Sequence, residues 1–159
     1  IPSWGPLLSR ARRWWTAYRA LQILYPLWAA ILKSCPQVAL AEPPSSRLED
    51  TLNLRDTDFR LHRRLIEIRD GQLLLRTLFD PLTAAAARVN AERLGRAAEL
   101  IEVAVETALL KSALDFGESS PSVLGPSPSD HAFWVEPDGP TGESDRIMMV
   151  AKEFSRSRD

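Results

Sequence analysis

Arg63, Arg64, Glu67, Arg69 and Asp70 fall inside one stretch of 57–80, TDFRLHRRLIEIRDGQLLLRTLFD. Arg63, Glu67 and Asp70 stand at i, i+4 and i+7, a spacing that one face of an α-helix brings into line. Two carboxylates among arginines can do three things. They can run acid–base chemistry if a cleft strongly perturbs one of them, form a polar recognition site, or lock neighbouring helices in register. The lock is the main expectation. Arg63 and Glu67 can pair, which stabilises an exposed helix by about 0.2–0.5 kcal/mol. Arg69 falls on another side, near His62 and Leu65, and is expected to turn inward. A buried guanidinium requires a carboxylate, and Glu99, Glu102 or Glu106 further along the chain are the candidates. Gly71, mid-helix, sacrifices about 1 kcal/mol relative to alanine. It is expected where another helix approaches closely.

Other chemistry finds few residues to work with. The histidines are His62 and His131, far apart, and His62 to Glu67 is a five-residue step that leaves them on different faces. No metal site is expected. Cys35 is the single cysteine, so an intrachain disulfide and a four-cysteine zinc site are both excluded, and a reducing compartment is the simple reading. G-x-S-x-G, P-loop and G-x-G-x-x-G motifs are absent. No catalytic residue and no cofactor is expected, and the chain reads as non-enzymatic.

These residues must be held by helices. Trp14, Tyr18, Leu21, Tyr25, Trp28 and Leu32 recur in alternating four- and three-residue steps within 7–34, one helical face. Pro26 is expected to kink or divide that helix, and Pro36 to stop it. Residues 35–55, with Pro36, Pro43, Pro44, Ser45 and Ser46, read as a connector. The central helix is capped by Asp56 or Thr57. Its main stripe is Leu61, Leu65, Ile68, Leu75 and Phe79, with Gln72 in the gap and Phe59, Ile66 and Leu73 widening the apolar face. Asp80-Pro81 predicts a new helix, Asp as N-cap and Pro as first residue. Gly95 is expected to split 82–116 into two helices, the second with Ile101, Ala104, Val105, Ala108 and Ser112 inside. Gly117 is expected to end it. Residues 117–140 are Pro/Ser/Gly-rich and read as a flexible loop with an apolar island, Phe133-Trp134-Val135. A last helix, about 142–156, turns Ile147, Val150, Ala151 and Phe154 inward. The expected fold is all-α, four to five helices in an irregular bundle.

The 159 residues suit one domain. Net charge is −1, but residues 1–41 hold five basic and no acidic residues, whereas 42–159 hold fifteen basic and twenty-one acidic. That balance, with no helix-turn-helix spacing, argues against nucleic acid. Trp4, Trp14 and Trp15 beside Arg10, Arg12 and Arg13 are amphipathic aromatics and cations of the kind that flank a bilayer on its cytoplasmic side. The longest apolar run, Ile23–Leu32, is interrupted by Pro26 and is too short to span one. Ile1 in place of methionine suggests a fragment or processed product.

The order of YPLWAAILKSCPQVAL, RLHRRLIEIRDGQLLLR, an Ala-rich helical pair, a Pro-rich gap and a final amphipathic helix resembles a known family. It is similar to the soluble C-terminal domain of uncharacterised actinobacterial multi-pass membrane proteins labelled putative transporters. The resemblance covers most of 20–115, with Pro26-Leu27-Trp28 and Arg64 through Gly71 the most specific pieces. The chain thus divides into a juxtamembrane-like aromatic and basic segment at 1–20, a helical core at 21–116, a Pro/Ser/Gly-rich loop at 117–140 that matches nothing in particular in that family, and a C-terminal amphipathic helix at 141–159. The resemblance implies a domain on the cytoplasmic side of a membrane, with the membrane surface or upstream membrane helices, and a protein, as partners. On the family's side no catalytic or ligand residues exist to carry over. The alternative is a soluble module binding a peptide, protein or small ligand in a groove along Leu61–Phe79, with Arg69 or Glu67 at its rim.

Overall fold

The computed structural model describes residues 5–119 and 139–157. Among them are six α-helices: α1 Gly5–Ser34, α2 Arg47–Leu52, α3 Thr57–Leu75, α4 Pro81–Arg93, α5 Ala98–Ser119 and α6 Gly139–Arg156. Short 3-10 turns follow α1 at Pro36–Val38 and α3 at Arg76–Leu78. No helix among the described residues is long and apolar enough to cross a membrane. Trp4, His131 and the Phe133-Trp134-Val135 island lie outside the described residues, as does most of the 117–140 loop.

The core is a contact of four helices. Leu24, Leu27 and Ile31 of α1 meet Ile68 and Leu75 of α3, Leu110 and Leu114 of α5, and Ile147, Val150 and Phe154 of α6. Fully burying each such side chain stabilises by about 1.5–3 kcal/mol. α4 packs against α5 from outside and buries only Ala91.

α1 is one uninterrupted helix through Pro26, not two. Proline withholds its amide from the carbonyl of Gln22. Yet Leu24, Leu27 and Trp28 are buried on both sides of that point, and the next carbonyl back, that of Leu21, accepts a bond from Arg64 Nη1 at 2.9 Å. Tertiary contacts keep the two halves in one helix where propensity alone would part them.

Three further expectations are corrected. Residues 35–55 contain α2, begun by a capping box: Ser46 Oγ accepts from the Glu49 amide, and Glu49 Oε2 accepts from the amide and hydroxyl of Ser45. α5 runs past Gly117 to Ser119. Among the described glycines it is Gly95, not Gly117, that takes the left-handed conformation, and Gly95 stands in the break between α4 and α5. The inner face of α5 is also rotated from the expected one. Val105 is buried as expected, but so are Val103, Glu106, Leu110, Ala113 and Leu114, whereas Ile101, Ala104 and Ala108 are half-buried and Ser112 is exposed. Asp80 does cap α4, accepting from the amides of Leu82 and Thr83, with Pro81 first in the helix.

Candidate functional site: a buried arginine–carboxylate network

The buried face of α3 is more polar than its sequence suggests. Thr57, Arg64, Glu67, Ile68, Gly71, Gln72 and Leu75 are inside. Phe59, Ile66 and Leu73, read as part of the apolar face, are exposed, and Leu61, Leu65 and Phe79 are half-buried. The helix turns toward α1 the side on which Arg64 and Glu67 lie, because that side also carries Gly71. A Cβ built on Gly71 would overlap Ile31 Cγ2 of α1, so only glycine permits this approach of the two backbones.

Arg64 is 2% exposed and Asp50, from α2, 1%. Arg64 Nη2 donates to Asp50 Oδ1 at 2.6 Å and Nη1 to Oδ2 at 3.2 Å, the forked geometry that suits a guanidinium to a carboxylate. The guanidinium carbon stands 4.1 Å from the centre of the Trp28 ring and 5.7 Å from that of Tyr25, a cation–π arrangement in a dry site. Burial pulls Arg64 below the ordinary arginine pKa, and the hydrogen bonds and charge of Asp50 pull it back up. Arg60 adds a second cation, donating through Nη2 to Asp50 Oδ1 at 2.7 Å and to the Asp50 carbonyl at 3.1 Å. Its Nη1 binds the Asn53 carbonyl.

One turn on, Glu67 is 1% exposed. Its Oε2 accepts from the Trp28 indole at 2.6 Å, its Oε1 from the Leu40 amide at 2.8 Å, and Arg63 Nε lies 3.6 Å from Oε1. Arg60, Arg64 and Glu67 thus stitch α3 to α1, to the connector after α1 and to α2. Trp14 and Tyr18 extend the seam along α1, donating to the carbonyls of Leu54 and Thr51.

A second buried carboxylate stands elsewhere. Glu106 of α5 is 4% exposed, accepts from Gln72 of α3 at 3.3 Å and from Arg146 of α6 at 2.7 Å. Burial raises its pKa above the ordinary value, and Arg146 opposes that rise.

Of the three residues aligned by spacing, Arg63 and Glu67 lie together beside Arg64, whereas Asp70 does not join them. Glu67 is buried rather than on an exposed face. Arg69 and Asp70 are elsewhere. Arg69 is half in solvent and pairs with Glu143 of α6 at 3.0 Å, not with α5. The arginine driven inside is Arg64, which has an acceptor waiting in α2. Asp70, half-buried, lies outside the network. Among the residues marked for a membrane interface, Arg10, Arg12, Arg13 and Trp15 are exposed. Trp14 is half-buried and stacked on Tyr18, with rings 5.6 Å apart and 10° from parallel. Asp50 and Arg60 were missed. The signal for Asp50 was the Ser46-x-x-Glu49 capping box, which announces a helix and so places Asp50 in its first turn.

Chemically, the network binds and positions. Both carboxylates are engaged by cations, an indole and an amide. No group of acidic, histidine or cysteine side chains that could hold a metal occurs among the described residues. An open cleft of about 640 Å³ lies beside the network, with Glu42, Arg55, Phe59, Arg60 and Arg63 on its walls. It opens at the N-terminal end of α3 and not along Leu61–Phe79. No curated protein and no solved structure matches the chain. Residues 13–157 match the model of a family of unknown function, DUF6545, over all but the first turns of α1 and through the end of α6. With most of α1 and all of α2 to α6 inside that match, the chain belongs to this family of unknown function.

Proposed function

We propose that this chain is a non-enzymatic helical domain of a membrane protein, held against the cytoplasmic surface of the bilayer, where it serves a regulatory or protein-interacting role. The setting is the one implied by the resemblance to actinobacterial multi-pass proteins. The observation that carries the reading is the outer face of the first half of α1. Leu8, Arg12, Trp15 and Arg19 follow one another at four- and three-residue steps and all are exposed, on the side opposite the buried Ala17, Leu21 and Leu24. Leu7, Arg10 and Arg13 flank them, also exposed. A stripe that alternates apolar and cationic side chains, with no acidic residue in 1–41, suits an interface where rings and methyls enter the headgroup layer and guanidiniums meet phosphate. Each cation near anionic lipid contributes about 1 kcal/mol.

Co-sedimentation with vesicles tests it. The chain should pellet with anionic phosphatidylglycerol vesicles and stay in solution with neutral phosphatidylcholine. The R10E/R12E/R13E variant should lose the anionic binding. Equal, salt-insensitive recovery of the two proteins would overturn the proposal.

A further inference from the structure

α2 has six residues, too few for a helix to hold itself together in water. Contacts with α1 hold it. Tyr18 donates to the Thr51 carbonyl at 3.1 Å, the Thr51 hydroxyl lies 3.2 Å from Gln22 Oε1, and the Arg47 guanidinium stands 5.5 Å from the Tyr25 ring centre. Trp14 donates to the Leu54 carbonyl just past the end of the helix. α2 therefore runs antiparallel along α1, and its Asp50 turns to Arg60 and Arg64 of α3. Despite this anchoring, Leu48 and Leu52, one turn apart, are 74% and 76% exposed.

The same contacts fix where the two leucines point. Successive residues of an α-helix are turned by about 100°. On α2, Arg47 and Thr51 face α1. Asp50 lies roughly a quarter turn to one side of them, toward α3, and Leu48 and Leu52 roughly a quarter turn to the other. On α1, Trp14, Tyr18 and Tyr25 face α2. Trp28 and Ile31, which meet Glu67 and Gly71 of α3, lie roughly a quarter turn to one side. The exposed row Leu8, Arg12, Trp15 and Arg19 lies roughly a quarter turn to the other. The pair of helices thus has α3 on one side and, on the opposite side, both exposed rows.

Charge says what covers that side. Every charged residue in 1–41 is basic, so a second copy laid against it meets charge of its own sign, whereas an anionic bilayer meets the opposite sign. Glu49, the other acid of α2, is occupied by the amide and hydroxyl of Ser45. We infer that Leu48 and Leu52 are a second membrane anchor: α2 lies on an anionic bilayer beside α1, with both leucines at the boundary of headgroups and acyl chains. The inference rests on the bilayer reading of α1 and adds an orientation to it. One row on one helix leaves the domain free to roll about α1. A second row on a second helix defines a plane, and α3 faces away from the lipid.

An environment-sensitive fluorophore on the whole chain tests it, attached in turn to L48C, L52C and L82C. Cys35 is fully buried, so labelling stays at the introduced thiol. Leu82 is as exposed as the other two but belongs to α4, which packs on α5. With phosphatidylglycerol vesicles, emission from positions 48 and 52 should shift to the blue and be quenched by spin-labelled lipid, and emission from position 82 should do neither. L48S/L52S should weaken binding to these vesicles by more than about tenfold. Its salt dependence, circular dichroism and melting temperature should match the parent's, since both side chains already face water and no charge is lost. If the parent binds anionic vesicles and R10E/R12E/R13E does not, but positions 48 and 52 stay in water or L48S/L52S binds as the parent does, the second anchor is overturned and the α1 reading stands. If the parent binds no vesicle, both are overturned. A blue shift at positions 48 and 52 that needs no lipid and grows with protein concentration would give this side to a second copy and also overturn the inference.

Discussion

Asp50 and Glu106 are both acidic side chains withdrawn from water, and α3 supplies a partner to each, yet they are held in different ways. Asp50 accepts from two guanidiniums, one of them itself buried, and the donors fork onto both carboxylate oxygens. Glu106 accepts from an amide at 3.3 Å and from Arg146, whose side chain is 24% exposed. In the first site cation and anion are trapped together. In the second the cation can leave for solvent, and the carboxylate keeps part of its desolvation cost, which is why its proton affinity rises. The difference teaches that burial alone does not make a polar contact structural. What decides is whether either partner has a route to water once the other is removed.

The comparison breaks or stands first on Asp50→Ala. It leaves the Arg64 charge buried without its acid and should cost about 3–5 kcal/mol, read as a shift in the urea midpoint. The double variant D50L/R64M, which removes both charges, should recover most of that loss. A cost below about 1 kcal/mol for D50A would show that Arg64 finds water or another partner, and the contrast with Glu106 would fail.

Glu67 tests whether the same trapping extends one turn along α3. Trp28→Phe deletes the indole donor to Oε2 and should destabilise by about 1.5–3 kcal/mol, the range for a hydrogen bond to a charged group. The loss should shrink in an E67Q background, because the two residues share one interaction. If W28F costs the same in both backgrounds, its effect is packing alone and Glu67 is not part of the lock.

How much of this could be seen in the sequence follows from the range over which each signal acts. The spacing of Ile147, Val150, Ala151 and Phe154 foretold the inner face of α6, and all four are buried. The Asp80-Pro81 pair marked the start of α4 because capping is a contact between chain neighbours. Arg64 and Arg69 lie near each other in the chain, and nothing local says which goes inside. That is settled by Asp50, fourteen residues earlier, and by Gly71, whose missing side chain draws α3's polar side against α1. The main stripe is inside, with Ile68 and Leu75 fully buried and Leu61, Leu65 and Phe79 packed against the core, but the residues read as widening it, Phe59, Ile66 and Leu73, face outward. Pro26 does not divide α1, because contacts from α3 outweigh its propensity to break a helix.

Gly71 sharpens the geometric half of the comparison. Gly71→Ala sets a methyl against Ile31 Cγ2 and should cost about 1–3 kcal/mol, the range for overpacking. It should disturb the Asp50 site more than the Glu106 site, because it pushes α3 away from α1 and not from α5. A double variant with I31A should cost less than the sum of the two single changes. Additive costs would place the clash elsewhere.

The smallest effect, and the one that separates the two carboxylates most directly, is the pH response of Glu106→Gln. Burial raises the folded-state pKa of Glu106 above its ordinary value of 4.5. Below 4.5 the carboxyl is protonated in both folded and unfolded chains and costs nothing. As pH rises from there to the raised folded value, the unfolded chain releases its proton first, so the folded protein binds more protons and its stability falls. Above that value the cost is constant. Glutamine does not titrate. The stability of E106Q relative to the parent should therefore climb across that window and then level off. Its size should stay below about 1 kcal/mol because the variant also weakens the bond from Arg146. Denaturation midpoints of the two proteins at a series of pH values give the answer. A difference that is flat with pH, or that falls as pH rises, would mean that Arg146 compensates Glu106 as fully as Arg60 and Arg64 compensate Asp50, and the two centres would then obey one rule.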